Sequence, residues 1–225
     1  PGPPTAGGPY QFTITASDAN AVTDQQQLTI TITAPACSTA PFPDVPVDDP
    51  NCPAIDWTAD RGIATGYTDT YYHPERSVTR QTMAAFLYRM EHDGDSAPDC
   101  TAAPFDDVPV DNTFCGAIAW LKDQGVTSGY ADGTFHPTQA VTNQTMAAFL
   151  YRLDHGGDAA PDCTAAPFDD VPVTSTFCGA IAWISDAGIA TGSDGGFGPA
   201  TVVTRGSMAA TLYLYDGYQD AHRPR

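Results

Sequence analysis

A segment of the chain recurs three times in tandem. Two sets of aromatic residues repeat every 63 residues. They are Phe42, Phe105, Phe168, Trp57, Trp120 and Trp183. In the third copy the period shortens by one residue, because SDGGFGP stands in place of YADGTFHP. A deletion of this kind is tolerated in a loop. The periodicity predicts a repeat architecture in which each unit packs against the next.

The second copy shows the order of elements within one repeat. PFDDVPVDNTF is rich in proline and aspartate and predicts a turn. CGAIAWLKDQG has apolar residues at helical spacing, and Gly125 is suited to end that helix. The glycine-rich stretch VTSGYADGTFHP predicts a loop. VTNQTMAAFLYRL predicts a second helix, with Thr142 as its N-cap. Each repeat is therefore predicted to be a helix-loop-helix unit, and the fold to be mainly α.

The residues ahead of the repeats have a different pattern. Apolar residues alternate with polar ones from Tyr10 to Ile14 and again from Leu28 to Ile32, which predicts a β-hairpin. Two strands alone are marginally stable in water, so the hairpin is expected to end a truncated β-sandwich module. Its sequence resembles the last two strands of immunoglobulin-like or cadherin-like bacterial surface modules. The predicted units are 1–36 for this module, 37–95, 96–158 and 159–217 for the repeats, and 218–225 for a tail.

The six cysteines form three pairs with a spacing of 15 residues. The pairs are Cys37/Cys52, Cys100/Cys115 and Cys163/Cys178. A structural metal site is the alternative, but it needs four suitable ligands, and no second CxxC or matching histidine spacing is present. Six cysteines allow fifteen connectivities, and the repeat symmetry favours one disulfide inside each repeat. Lasting disulfides predict an oxidising, exported setting.

The charge of the chain excludes some partners. With 27 acidic and 9 basic residues, the net charge is −18. Such a surface repels nucleic acid and anionic membranes, so neither is an expected partner. No apolar run is long enough to insert in a membrane, and no cofactor is predicted. Because the sequence starts at a proline in a loop-like context, we expect upstream domains of a longer chain, with any export signal among them.

The repeats resemble S-layer homology (SLH) domains. Their starts are FPDV, FDDV and FDDV, and their loops are GIATGYTDTYYHP, GVTSGYADGTFHP and GIATGSDGGFGP. The second helices open with VTRQT, VTNQT and VTRGS, where the family has a Thr-Arg-Ala-Glu start. The resemblance covers residues 38–217. It implies a pseudo-threefold helical assembly that binds a secondary cell-wall polymer without a covalent bond, often a polymer that carries ketal-linked pyruvate.

Arg80 and Arg205 are the first candidates for ligand binding. Each is predicted at the start of a second helix, where a cation opposes the helix dipole at a cost of about 0.3–1 kcal/mol. A guanidinium beside the first-turn N–H groups would suit a carboxylate or phosphate. The alternative is an ion pair with a nearby aspartate. Asn143 stands at the equivalent position of the second repeat, which predicts two strong subsites and a weak or structural middle one.

Two further sets of residues are candidates for the same sites. Asp44, Asp107 and Asp170 would bind sugar hydroxyls, or would instead hydrogen-bond to nearby backbone as aspartates in turns do. Gly66, Gly129 and Gly192 would let a ligand approach the backbone, or would supply a positive φ. The repeated tryptophans are expected to be core or groove wall rather than stacking platforms.

Three function classes compete for this sequence. Catalysis is not expected, because the five histidines and the scattered carboxylates form no catalytic or metal-binding motif. The favoured function is cell-wall anchoring from the extracellular side, through a secondary cell-wall polysaccharide or another peptidoglycan-linked glycan held in grooves between repeats. Self-assembly or cation-bridged surface-layer contact is the alternative. TDT, ADG and SDGG in the loops suggest calcium, but GYADGTFHP supplies only Asp132 and backbone, so loose ion binding by the acidic linkers is expected and not a dedicated site.

Overall fold

The computed structural model describes residues 8–17, 23–32, 37–190, 192 and 196–222. It is mainly helical, and each repeat contributes two helices. The helices are α1 (Cys52–Asp60), α2 (Arg80–Glu91), α3 (Cys115–Asp123), α4 (Asn143–Asp154), α5 (Cys178–Asp186) and α6 (Arg205–His222). The predicted helix-loop-helix order is confirmed in all three repeats. Helix α6 continues through His222, into the segment predicted as a tail.

The second helix of each repeat begins where its threonine predicts. Thr79 is the N-cap of α2, and its hydroxyl oxygen accepts a hydrogen bond from the Thr82 N–H. Thr204 makes the same contact with the Ser207 N–H. Thr142 occupies the N-cap position of α4, but its hydroxyl contacts the Thr145 hydroxyl at 3.1 Å and makes no cap. Thr142 therefore occupies the predicted N-cap position but does not make the hydrogen bond of an N-cap side chain.

The three repeats close into a ring. The second helix of each repeat packs on the first helix of the next, as α2 does on α3 and α4 on α5. Helix α6 then packs against α1, which joins the third repeat to the first. One buried core runs through all three units and includes Ile55, Ile118 and Ile181 from the first helices. The ring gives the pseudo-threefold arrangement that the SLH resemblance implied.

Three valines form a hydrogen-bonded triangle where the repeats meet. The Val78 N–H donates to the Val203 carbonyl oxygen at 2.9 Å, and the Val203 N–H donates to Val141 at 2.9 Å. The Val141 N–H completes the triangle by donating to Val78 at 2.8 Å. All three side chains are buried. Because each repeat supplies one donor and one acceptor, the triangle ties the starts of all three second helices together.

A disulfide pins the segment ahead of each first helix. The bridges join Cys37 to Cys52, Cys100 to Cys115 and Cys163 to Cys178, with Cα–Cα distances of 5.9, 5.7 and 5.7 Å. The predicted pairing inside each repeat is confirmed.

Two strands precede the ring. They are β1 (Gly8–Ser17) and β2 (Thr23–Ile32), which pair antiparallel with Phe12 opposite Leu28. The rest of the proposed β module, residues 1–7, 18–22 and 33–36, lies outside the described residues. Across the described chain, none of the helices combines the length and the apolar character that crossing a bilayer requires.

Candidate functional site

The loop of each repeat is held at one aromatic residue by two neighbouring elements. The aspartate at the start of the same repeat binds the N–H of that residue, and the first side chain of another repeat's second helix binds its carbonyl oxygen. The aromatic residues are Tyr72, Phe135 and Phe197. This arrangement brings the predicted arginines, asparagine and aspartates together at three junctions between repeats.

At the junction of α2 with the second loop, the aromatic residue is Phe135. Asp107 accepts hydrogen bonds from the N–H groups of Phe135 and His136, both at 2.8 Å. Arg80 is buried, and its Nε donates to the Phe135 carbonyl oxygen at 2.7 Å. The guanidinium also lies 4.4 Å from the Phe135 ring centroid and 5.1 Å from that of Tyr130. Burial lowers the pKa of Arg80, and the nearby Tyr130 and Asp107 oppose that shift.

At the junction of α6 with the first loop, Arg205 takes the same part. Its Nε donates to the Tyr72 carbonyl oxygen at 2.8 Å, and one Nη donates to Thr65 at 3.0 Å. Asp44 accepts from the Tyr72 and His73 N–H groups at 2.8 and 2.7 Å. The guanidinium is 4.3 Å from the Tyr72 ring centroid. Arg205 is buried and thus joins the last repeat to the first.

At the third junction an amide replaces the guanidinium. Asn143 Nδ2 donates to the Phe197 and Gly198 carbonyl oxygens at 3.2 and 3.1 Å. Asp170 accepts from the N–H groups of the same two residues at 2.9 and 2.8 Å. Asn143 therefore keeps the contact between repeats while lacking the charge and reach of an arginine.

Neither arginine makes the ion pair considered as the alternative. Within the described part of the chain, no carboxylate lies within 4 Å of the guanidinium of Arg80 or Arg205. The Nη atoms of Arg80 and one Nη of Arg205 have no hydrogen-bond partner among the described residues. No fully buried side-chain nitrogen there lacks a partner, so these Nη atoms reach the surface.

The first-turn N–H groups are used by the protein itself. The Arg80 and Gln81 N–H groups donate to the carbonyl oxygens of Gln139 and Pro137, both at 2.9 Å. Helices α4 and α6 bind the loops that follow them around the ring in the same way. These amides are therefore not available to an anion, and only the guanidinium nitrogens remain of the predicted anion site.

The three candidate glycines pack against the phenylalanine that begins each repeat. A Cβ on Gly66 would lie 2.7 Å from Phe42 Cε1, and a Cβ on Gly129 would overlap Phe105. At Gly192 it would overlap the Gly196 carbonyl oxygen. Gly129 and Gly192 also have a positive φ, of 74° and 69°. Close packing thus explains all three glycines, and the backbone conformation adds a second reason at two of them.

Each junction borders a surface pocket. The pockets measure about 600 Å³ beside Asp44, about 500 Å³ beside Asp107 and about 460 Å³ beside Asn143 and Asp170. Exposed tyrosines stand at the first two junctions. The guanidinium groups of Arg205 and Arg76 lie 4.8 and 4.9 Å from the Tyr67 ring centroid. That of Arg80 lies 5.1 Å from the Tyr130 ring centroid.

Sequence reasoning did not select Tyr67 and Tyr130 as site residues. The available signal was the tyrosine that follows the loop glycine in the first two repeats but is Ser193 in the third. The junction that lacks an arginine is thus also the one whose sequence lacks this tyrosine.

The loop aspartates considered for calcium are engaged by their own loops. Asp69 accepts from the Tyr71 N–H at 3.0 Å and contacts His73 Nε2 at 2.7 Å. Asp132 accepts from the Thr134 hydroxyl at 2.5 Å and from the Thr134 N–H at 3.0 Å. These hydrogen bonds lower the pKa of both carboxyl groups. Over the described residues, no three His, Cys, Asp or Glu side chains are grouped so as to hold a metal ion.

Asp170 gives the third junction a pH dependence. The Phe197 and Gly198 N–H groups lower its pKa, so its stabilising effect is present above the unfolded pKa and is lost as the pH falls through the folded value. We expect Asp170→Asn to lower the urea midpoint at pH 7, with the difference from wild type shrinking as the pH falls below 3.8. A difference that stays constant with pH would contradict this, and the exposed Asp169→Asn serves as the control.

Comparison with known proteins identifies the family. The model of the S-layer homology domain family matches residues 41–84, 104–147 and 167–209, which together make up more than half of the chain. The chain therefore belongs to this family.

Several curated proteins are similar to the chain. Cell surface glycoprotein 1 of Acetivibrio thermocellus is 31% identical over 90 residues, which are 40% of this chain and 4% of that protein. The cellulosome-anchoring protein of the same organism is 30% identical over 89 residues, or 39% and 20% of the two chains. S-layer protein sap of Bacillus anthracis is 25% identical over 181 residues, or 78% and 21%. The chain thus spans about a fifth or less of the length of these relatives.

Proposed function

We propose that this chain anchors a longer exported protein to the cell wall by binding a secondary cell-wall polymer without a covalent bond. Membership of the SLH family and the names of the relatives support anchoring at the cell surface. The polymer would bind from the extracellular side at the junctions between repeats, and the hairpin would end an upstream immunoglobulin-like or cadherin-like module.

One observation carries the assignment of the site. At two junctions the Nε of a guanidinium holds a loop, while both Nη atoms of Arg80 and one Nη of Arg205 reach the surface beside an exposed tyrosine. A tyrosine face packs against a sugar ring, and guanidinium nitrogens bind the carboxylate of an acidic or pyruvylated sugar. Asp44 and Asp107 would position the loops rather than contact the ligand, since both oxygens of each accept backbone N–H groups.

The junctions are expected to differ in affinity. Arg205, Arg76 and Tyr67 give the first loop two cations around one exposed ring. Arg80 and Tyr130 give the second loop one cation. Asn143 would hold the third loop without binding an anionic ligand. Because local guanidinium contacts and not a basic surface attract the polymer, affinity should fall only weakly with added salt.

We expect Tyr67→Ala/Tyr130→Ala to bind cell walls about tenfold more weakly than wild type, because each loses one stacking surface. The exposed tyrosines suit this test better than the arginines, which also hold the ring together. The measurement is co-sedimentation with purified sacculi, with and without acid removal of their secondary polymers.

The matched control is Tyr213→Ala, which removes an exposed tyrosine on α6 that contacts Trp57 and has no arginine beside its ring among the described residues. It should bind like wild type. If the wild-type chain pellets equally with intact and stripped sacculi, polymer binding is wrong, and self-assembly or cation-bridged contact replaces it. Addition of calcium or EDTA separates those two alternatives.

A further inference from the structure

Two grooves lie on the ring between neighbouring repeats and apart from the junction pockets. One, of about 360 Å³, has α3 as its floor, the end of α2 as one wall and the linker at 98–102 as the other. Its counterpart between α4 and α5 measures about 570 Å³. The disulfides Cys100–Cys115 and Cys163–Cys178 fix the linker walls. Each linker runs so close to its helix that a Cβ on Gly116 would overlap the Pro98 carbonyl oxygen.

Each groove contains the same aromatic cluster. Tyr88 and His92 stack at 3.9 Å, and both are perpendicular to Trp120, at 5.4 and 5.5 Å. The stacked pair thus contacts the tryptophan as one unit, with both rings at nearly the same distance from it. Tyr151, His155 and Trp183 repeat this geometry at the second groove, with a stacking distance of 4.0 Å.

A backbone hydrogen bond fixes the histidine of each groove. His92 Nδ1 lies 2.8 Å from the Tyr88 carbonyl oxygen, and His155 Nδ1 lies 2.9 Å from that of Tyr151. A carbonyl oxygen only accepts a hydrogen bond, so Nδ1 of each histidine is the donor in this contact. Both histidines line their grooves.

The charged lining of both grooves is acidic. Asp99 and Asp123 line the first groove, and Asp162 and Asp186 line the second. No lysine or arginine lines either groove, and none of these four carboxylates pairs with a cation among the described residues. The grooves therefore combine aromatic faces with negative charge, which suits an organic cation.

The third tryptophan has a cation of this chain beside it. Arg61 stands where the other repeats have Gln124 and Ala187. Its guanidinium lies 5.2 Å from the Trp57 ring centroid and 3.5 Å from an Asp216 carboxylate oxygen. One junction of the ring thus holds a cation between a tryptophan and a carboxylate. The groove carboxylates stand at other positions of the repeat, because Glu91 and Asp154 are the counterparts of Asp216, and His92 and His155 are the counterparts of Gly217.

We propose that the two grooves bind arginine side chains from a basic peptide segment of another protein. Each guanidinium would contact Trp120 or Trp183, as Arg61 contacts Trp57, and would pair with the groove carboxylates. A second copy of this chain is a poor occupant, because two chains with a net charge of −18 repel each other. This surface would tether a basic partner independently of the polymer at the junctions.

The test is an NMR titration of the whole chain with acetyl-Arg-Arg-Arg-amide, following the indole N–H signals of the three tryptophans. The signals of Trp120 and Trp183 should shift, while that of Trp57, which already contacts Arg61, should stay in place. The matched citrulline peptide has nearly the same shape without the charge and should produce no shift. Shifts of all three signals, or of none, would overturn the proposal.

Charge variants distinguish binding of the peptide in the grooves from its non-specific attraction to an acidic chain. One variant carries four Asp→Asn changes in the grooves, at Asp99, Asp123, Asp162 and Asp186. The control carries the same change at four exposed aspartates elsewhere, at Asp48, Asp60, Asp111 and Asp169. The groove variant should bind about tenfold more weakly, because each guanidinium loses two carboxylates, and the control should bind like wild type. Equal weakening of both variants would mean non-specific attraction and would also overturn the proposal.

Discussion

Replacing Arg205 by alanine is expected to lower the free energy of unfolding by about 3 kcal/mol. Arg205 donates to the carbonyl oxygens of Tyr72 and Thr65, and its buried stem and guanidinium pack on the Tyr72 ring. Alanine would leave buried acceptors without a donor and a cavity between α6 and the first loop. Since this contact joins the last repeat to the first, its loss should weaken closure of the ring. Urea denaturation followed by far-UV circular dichroism measures the change.

The control for this prediction is Arg76→Ala. Arg76 is exposed and lies 4.9 Å from the centroid of the Tyr67 ring, which Arg205 also contacts. Its removal should change the unfolding free energy by less than about 1 kcal/mol. Arg80→Ala should fall between the two, because Arg80 makes a single hydrogen bond to Phe135. An Arg205→Ala chain as stable as Arg76→Ala would mean that the guanidinium does not hold the ring.

The elements of this fold could be predicted because their signals are local. Thr79 and Thr204 cap their helices through contacts three residues away, and Gly125 follows the end of α3 with a φ of 70°. The cysteine pairs are close in sequence as well as in space. Thr142 makes no such cap although its contact with the Thr145 hydroxyl matches that of Thr79 with the Thr82 hydroxyl, and the structure does not explain the difference.

The roles of the site residues could not be predicted because their contacts are long-range. Asp107 binds N–H groups 28 and 29 residues away, and Arg205 binds a carbonyl oxygen 133 residues away. The local sequence places Arg205 at the start of a helix, where it offers only first-turn amides and nearby aspartates as partners. Ring closure supplies partners that no local pattern contains. The repeat pattern predicts that these residues meet at the junctions. Only the geometry separates the residues that hold the loops from those proposed to bind a ligand.

The closed ring also explains why the repeats are unequal. Each junction needs one polar side chain to bind the loop of the next repeat, and Asn143 meets that need without a charge. The arginines at the other two junctions keep Nη atoms beyond those used for the ring. Arginine is therefore more than the contact between repeats requires, which supports a ligand at those junctions.

Removing the three disulfides together is expected to unfold most of the chain at 37 °C. Each bridge closes a segment with a sequence separation of 15 residues, and a loop of this length stabilises a protein by about 3 kcal/mol. Three such contributions approach the whole stability of a typical domain, about 5–15 kcal/mol. A chain with all six cysteines changed to serine should lose its helical circular dichroism at a much lower temperature than wild type.

Variants with a single pair removed test whether the bridges act independently. Cys100→Ser/Cys115→Ser should lower the unfolding free energy by about 3 kcal/mol and release the linker wall of one groove, while Cys37→Ser/Cys52→Ser leaves both proposed grooves intact. The bridges belong to different repeats, so their effects should add unless ring closure couples them. A combined loss larger than the sum would mean that opening one repeat weakens the other two. Equal urea midpoints for the reduced and oxidised chains would instead show that the bridges add nothing to the packed ring.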